Sequence, residues 1–212
     1  VRSAGVLAAL AATNIAAQRT RHPAGLVVPA GVAALVVMAR AGGLGWEEMG
    51  LGREALRVDL PAAATAATVT AAGVGAVAMH PWTPDVGDLA RYATPALARR
   101  AALGTIPLSV AVPEEIAFRG VLDASLRRHL SPGAADLAGA LAFGAWHVLG
   151  ATPVGPGGRG RLLGAAVTVA ATTVAGLGFT ALRRRSGSVL PGIAGHWALN
   201  GTAAVAAART TS

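Results

Sequence analysis

The chain has 212 residues, of which 53% are hydrophobic and 13% charged, whereas soluble domains carry about 25% charged residues. A water-facing surface needs more charge than this, so an ordinary soluble domain is excluded and a bilayer becomes the solvent for most of the chain. The formal net charge is +8 with every basic residue an arginine, and the count of 0 Cys removes both disulfides and thiolate chemistry. The arginines are dispersed between apolar segments and aromatics are 4%, which argues against a basic stacking face and hence against nucleic-acid binding.

The first apolar run, Ala4 to Ala17, falls short of the ~20 residues a spanning helix needs. It reads as a first membrane helix, incomplete as it stands, rather than a signal segment, since no exit site follows it. Arg19, Arg21 and His22 form a polar turn, and residues 24–41 make a second apolar run. The loop from Gly42 to Asp59 holds Glu47, Glu48 and Trp46. It reads either as an interfacial amphipathic helix along Leu51, Ala55, Leu56 and Leu60, with Trp46 at headgroup level, or as a solvated connector.

A third span is predicted from Pro61 to Met79, with Pro at a helix start where its missing N–H costs nothing. His80, Pro81 and Pro84 through Tyr92 read as an exposed loop, with His80 at the interface. A fourth segment runs from Pro95 to about Leu130, kinked near Pro113, with Arg127, Arg128 and His129 at the far surface. Ser131-Pro132-Gly133 starts the fifth, to Gly150. Gly155 to Arg161 reads as a flexible Gly/Pro loop without a phosphate-loop pattern. Residues 162–182 and 189–208 complete the series. The expected architecture is all-α: a single integral membrane domain over 1–212, a polytopic bundle of about six to eight transmembrane segments enclosing a polar cavity. Arginine bias places the loops with Arg40, Arg53, Arg57, Arg127, Arg128 and Arg183 to Arg185 inside.

Three apolar segments carry polar groups that a membrane interior disfavours unless they are paired or functional. Glu114, Glu115 and Arg119 lie in the fourth, Phe143, Trp146 and His147 in the fifth, His196 and Asn200 in the seventh. On a helix Glu115 and Arg119 are i,i+4 neighbours and can pair, while Glu114 points about 100° away. One carboxylate is then neutralised and the other is free to face a cavity as a general base. Either histidine can handle protons or ligate a metal, and Asn200, one turn beyond His196, can donate to a developing oxyanion. Each residue also has a structural alternative: a packing histidine, a Glu–Arg tie between helices, an asparagine that glues helices together.

The pattern Glu114-Glu115-Ile116-Ala117-Phe118-Arg119-Gly120, then Phe143 through His147, then His196 through Asn200 resembles the CPBP intramembrane protease family, also known as the CAAX-protease and bacteriocin-processing or Abi family. The resemblance spans about residues 45–205, with a core at 95–205; Met49-Gly50-Leu51 resembles an element that precedes the family core. It implies a helical membrane core around a water-accessible cavity, multi-pass in a cell membrane, and the composition reads as that of a bacterial chain. Glu114 would activate water, His147 would help to hold it, and His196 with Asn200 would stabilise the oxyanion. Glu115 and Arg119 would orient these groups, and Phe143 and Trp146 would border the substrate. A divalent metal such as zinc, held by Glu114, His147 and His196, is the alternative to a glutamate-activated water. The implied partners are the lipid bilayer and a membrane-bound protein or peptide substrate. A non-proteolytic scaffold, a bacteriocin self-immunity protein of the same fold and a small proton-coupled transporter are the competing readings.

Overall fold

The computed structural model describes residues 2–20, 24–78 and 94–210, and every regular element among them is helical. The readings of Arg21-His22 and of the His80–Tyr92 loop lie outside the described residues. Helix α1 is Ser3–Arg19, α2 Ala24–Ala41, α3 Arg53–Val58 and α4 Leu60–Ala78. Helix α5 is the continuous run Pro95–Arg127. Helix α6 is Pro132–Trp146 and continues into the one-turn 3₁₀ helix Val148–Gly150; α7 is Gly157–Ser186 and α8 Leu190–Thr210.

Helix α5 begins where the sequence provides for it. Thr94 caps the helix by accepting from the Leu97 N–H, and Pro95 occupies the first position, where no N–H is needed. Further on, Pro107 and Pro113 each remove one backbone donor. The helix does not end there. It widens into π turns at Ala101–Thr105, Pro107–Ala111 and Ile116–Leu122, a distortion common at functional sites.

Helix α5 is the hub: it packs against α1, α2, α6, α7 and α8, while α4 lies along α8 and α6 along α7. Its Phe118, Val121 and Leu122 enter a core with Val6 and Leu10 of α1, Val32 and Leu35 of α2, and Phe143 of α6. Large apolar side chains also cover the outside. Val37, Val69, Leu103, Leu108, Leu162 and Val174 are each more than 60% exposed, as expected of surfaces solvated by hydrocarbon.

Leu60–Ala78, Pro95–Arg127 and Gly157–Ser186 are long and apolar enough to cross a membrane, and Gly25–Ala41 is a shorter apolar helix. Among the described residues these three meet that length and apolarity, against the six to eight crossings expected from hydropathy. Of the remaining helices, α1 and α6 are shorter, with 17 and 15 residues, and α8 carries His196 and Asn200.

Two loop readings are corrected. Residues 42–52 are not simply a solvated connector, and only six residues, Arg53–Val58, form the short helix. Leu44 and Met49 are fully buried against the core, and Gly120 of α5 lies so close that a Cβ there would sit 3.2 Å from the Met49 carbonyl. Likewise α7 starts at Gly157, inside the stretch read as a flexible loop, and carries Arg159 and Arg161 on its first turns. Gly160 permits this because it packs against the preceding loop, and its carbonyl accepts from the Val154 N–H at 2.9 Å.

One end of the bundle is an ionic layer. Arg127 bridges Asp123 (2.7 Å) and Asp136 (2.5 Å), and Arg184 reaches the other oxygen of Asp136 at 2.5 Å. Arg128 grips both oxygens of Glu48 at 2.9 Å and the Gly43 carbonyl at 2.8 Å. Arg183 donates to the Glu48 carbonyl at 3.0 Å, and Arg40 lies over the Trp46 ring. These contacts tie the ends of α2, α5 and α7 to the start of α6.

Candidate active site

At the middle of α5, two adjacent carboxylates have different surroundings. Glu115 is fully buried, and its Oε1 accepts from Arg119 Nη1 at 3.0 Å and from His196 Nδ1 at 3.0 Å. Arg119, only 2% exposed, also donates to the Gly176 carbonyl of α7 at 3.1 Å, and its guanidinium lies 4.1 Å above the Phe143 ring. The pair is therefore an interior strut joining α5, α6, α7 and α8. The planar fork of arginine suits it to bonding a carboxylate and a carbonyl while stacking on an aromatic face.

Glu114 faces the other way. Its Oε1 accepts from the Trp146 indole N–H at 3.1 Å. Its Oε2 is buried and has no hydrogen-bond donor among the described residues. His147 Nε2 lies 3.7 Å from that oxygen and His196 Nε2 4.0 Å from it.

The tautomers follow from what each ring does on its far side. His147 Nδ1 is 2.8 Å from the Phe143 carbonyl, which can only accept, so Nδ1 carries the proton. His196 Nδ1 faces the Glu115 carboxylate and carries the proton for the same reason. In neutral rings both Nε2 atoms then present lone pairs, and both are directed at Glu114 Oε2. Three acceptors thus approach one point with no donor between them. Such a point calls for a molecule or ion that supplies donors or positive charge: a water, a shared proton or a cation.

Phe143 and Phe179 hold the rings in place. Phe179 stacks on His196 with centroids 5.0 Å apart, and Phe143 meets His147 edge-on at 4.7 Å. The point lies in a cavity of about 570 Å³ whose walls include Asn14, Ser109, Glu114, Trp146, His147, Thr172, His196 and Asn200. Its lining is polar enough to hold water, which apolar cavities do not. Asn200 is on that wall and has no hydrogen-bond partner among the described residues.

Glu114, Glu115, Arg119, Phe143, Trp146, His147, His196 and Asn200 thus come together at one place. Glu47 and Glu48, the other carboxylate pair in the sequence, are elsewhere, Glu48 in the ionic layer. Trp146, read from sequence as a border of the substrate pocket, is also a hydrogen-bond donor to Glu114. Sequence reasoning missed three participants. Phe179 carries no polar signal. Gly192 matters only through contact: a Cβ there would lie 2.7 Å from Glu115 Oε2. Asn14 had a signal, a lone amide in an apolar helix.

Among the described residues no group of three or more His, Cys, Asp or Glu side chains is gathered into a ready cluster of metal ligands. The groups around Glu114 Oε2, one carboxylate and two imidazoles, are of the types that zinc-like ions take as ligands. Each imidazole gives its other N–H to a carboxylate or backbone carbonyl, the usual support behind a ligating histidine.

Residues 97–202, half of the chain, match the family described as type II CAAX prenyl endopeptidase Rce1-like. That stretch holds all eight of the residues gathered at the cavity. No curated protein and no solved structure matches the chain significantly.

Proposed function

Because the chain belongs to the Rce1-like type II CAAX prenyl endopeptidase family, we propose that it is an intramembrane endopeptidase that hydrolyses peptide bonds of membrane-associated proteins or peptides. Glu114 is the general base. The observation that carries the reading is the unpartnered Glu114 Oε2 facing the Nε2 atoms of two histidines, whose protons are held on the opposite side of each ring.

A water at that point gives one proton to Glu114 Oε2 while its oxygen attacks the scissile carbonyl carbon. The His147 Nε2 lone pair holds the water by accepting its second hydrogen. The tetrahedral oxyanion needs donors. Asn200 offers an amide, and His196, held from behind by Glu115, donates from Nε2 once that nitrogen carries a proton. Collapse breaks the C–N bond, and the proton taken by Glu114 goes to the leaving amine. Glu115 and Arg119 fix His196 and do not touch substrate. Were a divalent cation to bind, Glu114, His147 and His196 would hold it, and it would supply Lewis acidity that lowers the pKa of bound water.

The partner implied by the apolar exterior is the bilayer, and the setting is a multi-pass protein of a bacterial cell membrane. The test is cleavage of a membrane-peptide library by purified protein in nanodiscs. Wild type runs beside Glu114→Gln and His196→Ala, each with and without a chelator. Cleavage by wild type that both variants lose is the expected result. Full activity of Glu114→Gln would refute the general-base role, and a chelator effect on wild type alone would place a metal in the reaction.

A further inference from the structure

We propose that Asn14 of α1 is a positioning residue for this site: by donating to the carbonyl of Trp146 it fixes the last turn of α6, and with it both α6-borne groups that face Glu114. The proposal builds on the reading of Glu114 as base, and its test has an arm that does not depend on catalysis.

Asn14 sits in the stretch Ala11-Ala12-Thr13-Asn14-Ile15-Ala16-Ala17. An amide in such surroundings is costly unless it is hydrogen-bonded. The neighbouring Thr13 satisfies its hydroxyl on its own helix, at the Ala9 carbonyl (2.9 Å). Asn14 instead reaches across to another helix. It is 7% exposed, and its Nδ2 donates to the Trp146 carbonyl at 2.7 Å.

That carbonyl belongs to the last residue of α6. The final carbonyls of a helix have no donors within the helix, and inside a bilayer bulk water does not supply them. Here the Phe143 carbonyl takes the His147 ring N–H and the Gly144 carbonyl takes the His147 backbone N–H. Both of those bonds stay within the turn. Among the described bonds to these end carbonyls, the one from Asn14 comes from a different helix.

The peptide unit whose oxygen Asn14 holds links Trp146 to His147. Its tilt sets the direction of both side chains. One gives the indole N–H to Glu114 Oε1 at 3.1 Å, and the other puts Nε2 3.7 Å from Glu114 Oε2. Asn14 also stands between the catalytic cavity and an apolar cleft of about 300 Å³ enclosed by α1, α5 and α6, since it lines both. Helix α1 lies outside the residues that match the family, so the family pattern assigns Asn14 no role.

The test uses the full chain, ¹⁵N-labelled in nanodiscs. The indole resonance of Trp146 is assigned with Trp146→Phe and the ring resonances of His147 with His147→Gln. Asn14→Leu, which keeps the size but not the donor, and Asn14→Ala are then compared with wild type. Both are expected to shift the Trp146 indole and His147 signals, leaving Trp46 and Trp197 unmoved. With a cleaved peptide in hand, kcat falls about 10-fold with KM little changed, since small misplacements of reacting groups cost rate rather than binding. A merely structural role would lower yield or thermal stability and leave these signals in place. Unshifted Trp146 and His147 signals in either folded variant overturn the proposal, and so does an unchanged kcat. If wild type and Glu114→Gln alike cleave nothing, the protease reading fails and the resonance arm still decides the positioning.

Discussion

Arg119→Leu removes the guanidinium that pairs with a fully buried carboxylate. The guanidinium bonds Glu115 at 3.0 Å and the Gly176 carbonyl at 3.1 Å, and lies on Phe143. Breaking a buried ion pair from one side costs about 3–5 kcal/mol, because the remaining charge is left without its partner. Glu115→Gln should cost a similar amount, since it strands the guanidinium. The double variant is more telling. With both charges gone, the Gln carbonyl still accepts from His196 Nδ1–H, and the Gly176 carbonyl, inside α7, loses its bond from Arg119 but keeps its helical donor. Losing such an additional hydrogen bond costs about 0.5–1.5 kcal/mol. The double variant should therefore be more stable than either single one, with a coupling of at least about 3 kcal/mol. The assay is a double-mutant cycle by reversible denaturant titration in mixed micelles. Losses that simply add, to within about 0.5 kcal/mol, would refute the account of the pair as one electrostatic unit.

Gly192→Ala should cost cleavage at least about 10-fold, because its Cβ would sit 2.7 Å from Glu115 Oε2 and push the carboxylate that orients His196; peptide cleavage measures it, and Gly178→Ala, where nothing lies within 4 Å, is the control. Acid should loosen the ionic layer. The Gly45 backbone N–H, then Arg128, hold the Glu48 carboxyl below its ordinary value of 4.5. A depressed folded pKa contributes stability that is present above the ordinary value and lost as pH falls below it. Glu48 is 44% exposed, so the effect is small, about 0–1 kcal/mol. Limited proteolysis of the 42–52 loop should rise below about pH 4.5 in wild type and be independent of pH in Glu48→Gln; a wild-type loop equally resistant at low pH contradicts the assignment.

By itself the sequence determined that the chain is helical and strongly apolar, and where its helices lie within a few residues. Apolar runs bounded by Arg, Pro and Gly carry that information locally. It also determined the Glu115–Arg119 pair, because a helix makes i,i+4 neighbours whatever surrounds it, and it singled out the three polar motifs through the cost of charge in a membrane. The tertiary structure decided what depends on contacts between segments far apart in the chain. Only packing shows that Trp146 donates to Glu114 across 32 positions, that Asn14 reaches the Trp146 carbonyl across 132, and that His196 meets Glu115 across 81. The two Glu pairs look alike in one dimension. The fold separates them, placing Glu48 among exposed arginines and Glu114 beside two imidazole lone pairs. Which histidine nitrogen faces the cavity is likewise a tertiary fact, set by the acceptor behind each ring and carried by no local pattern.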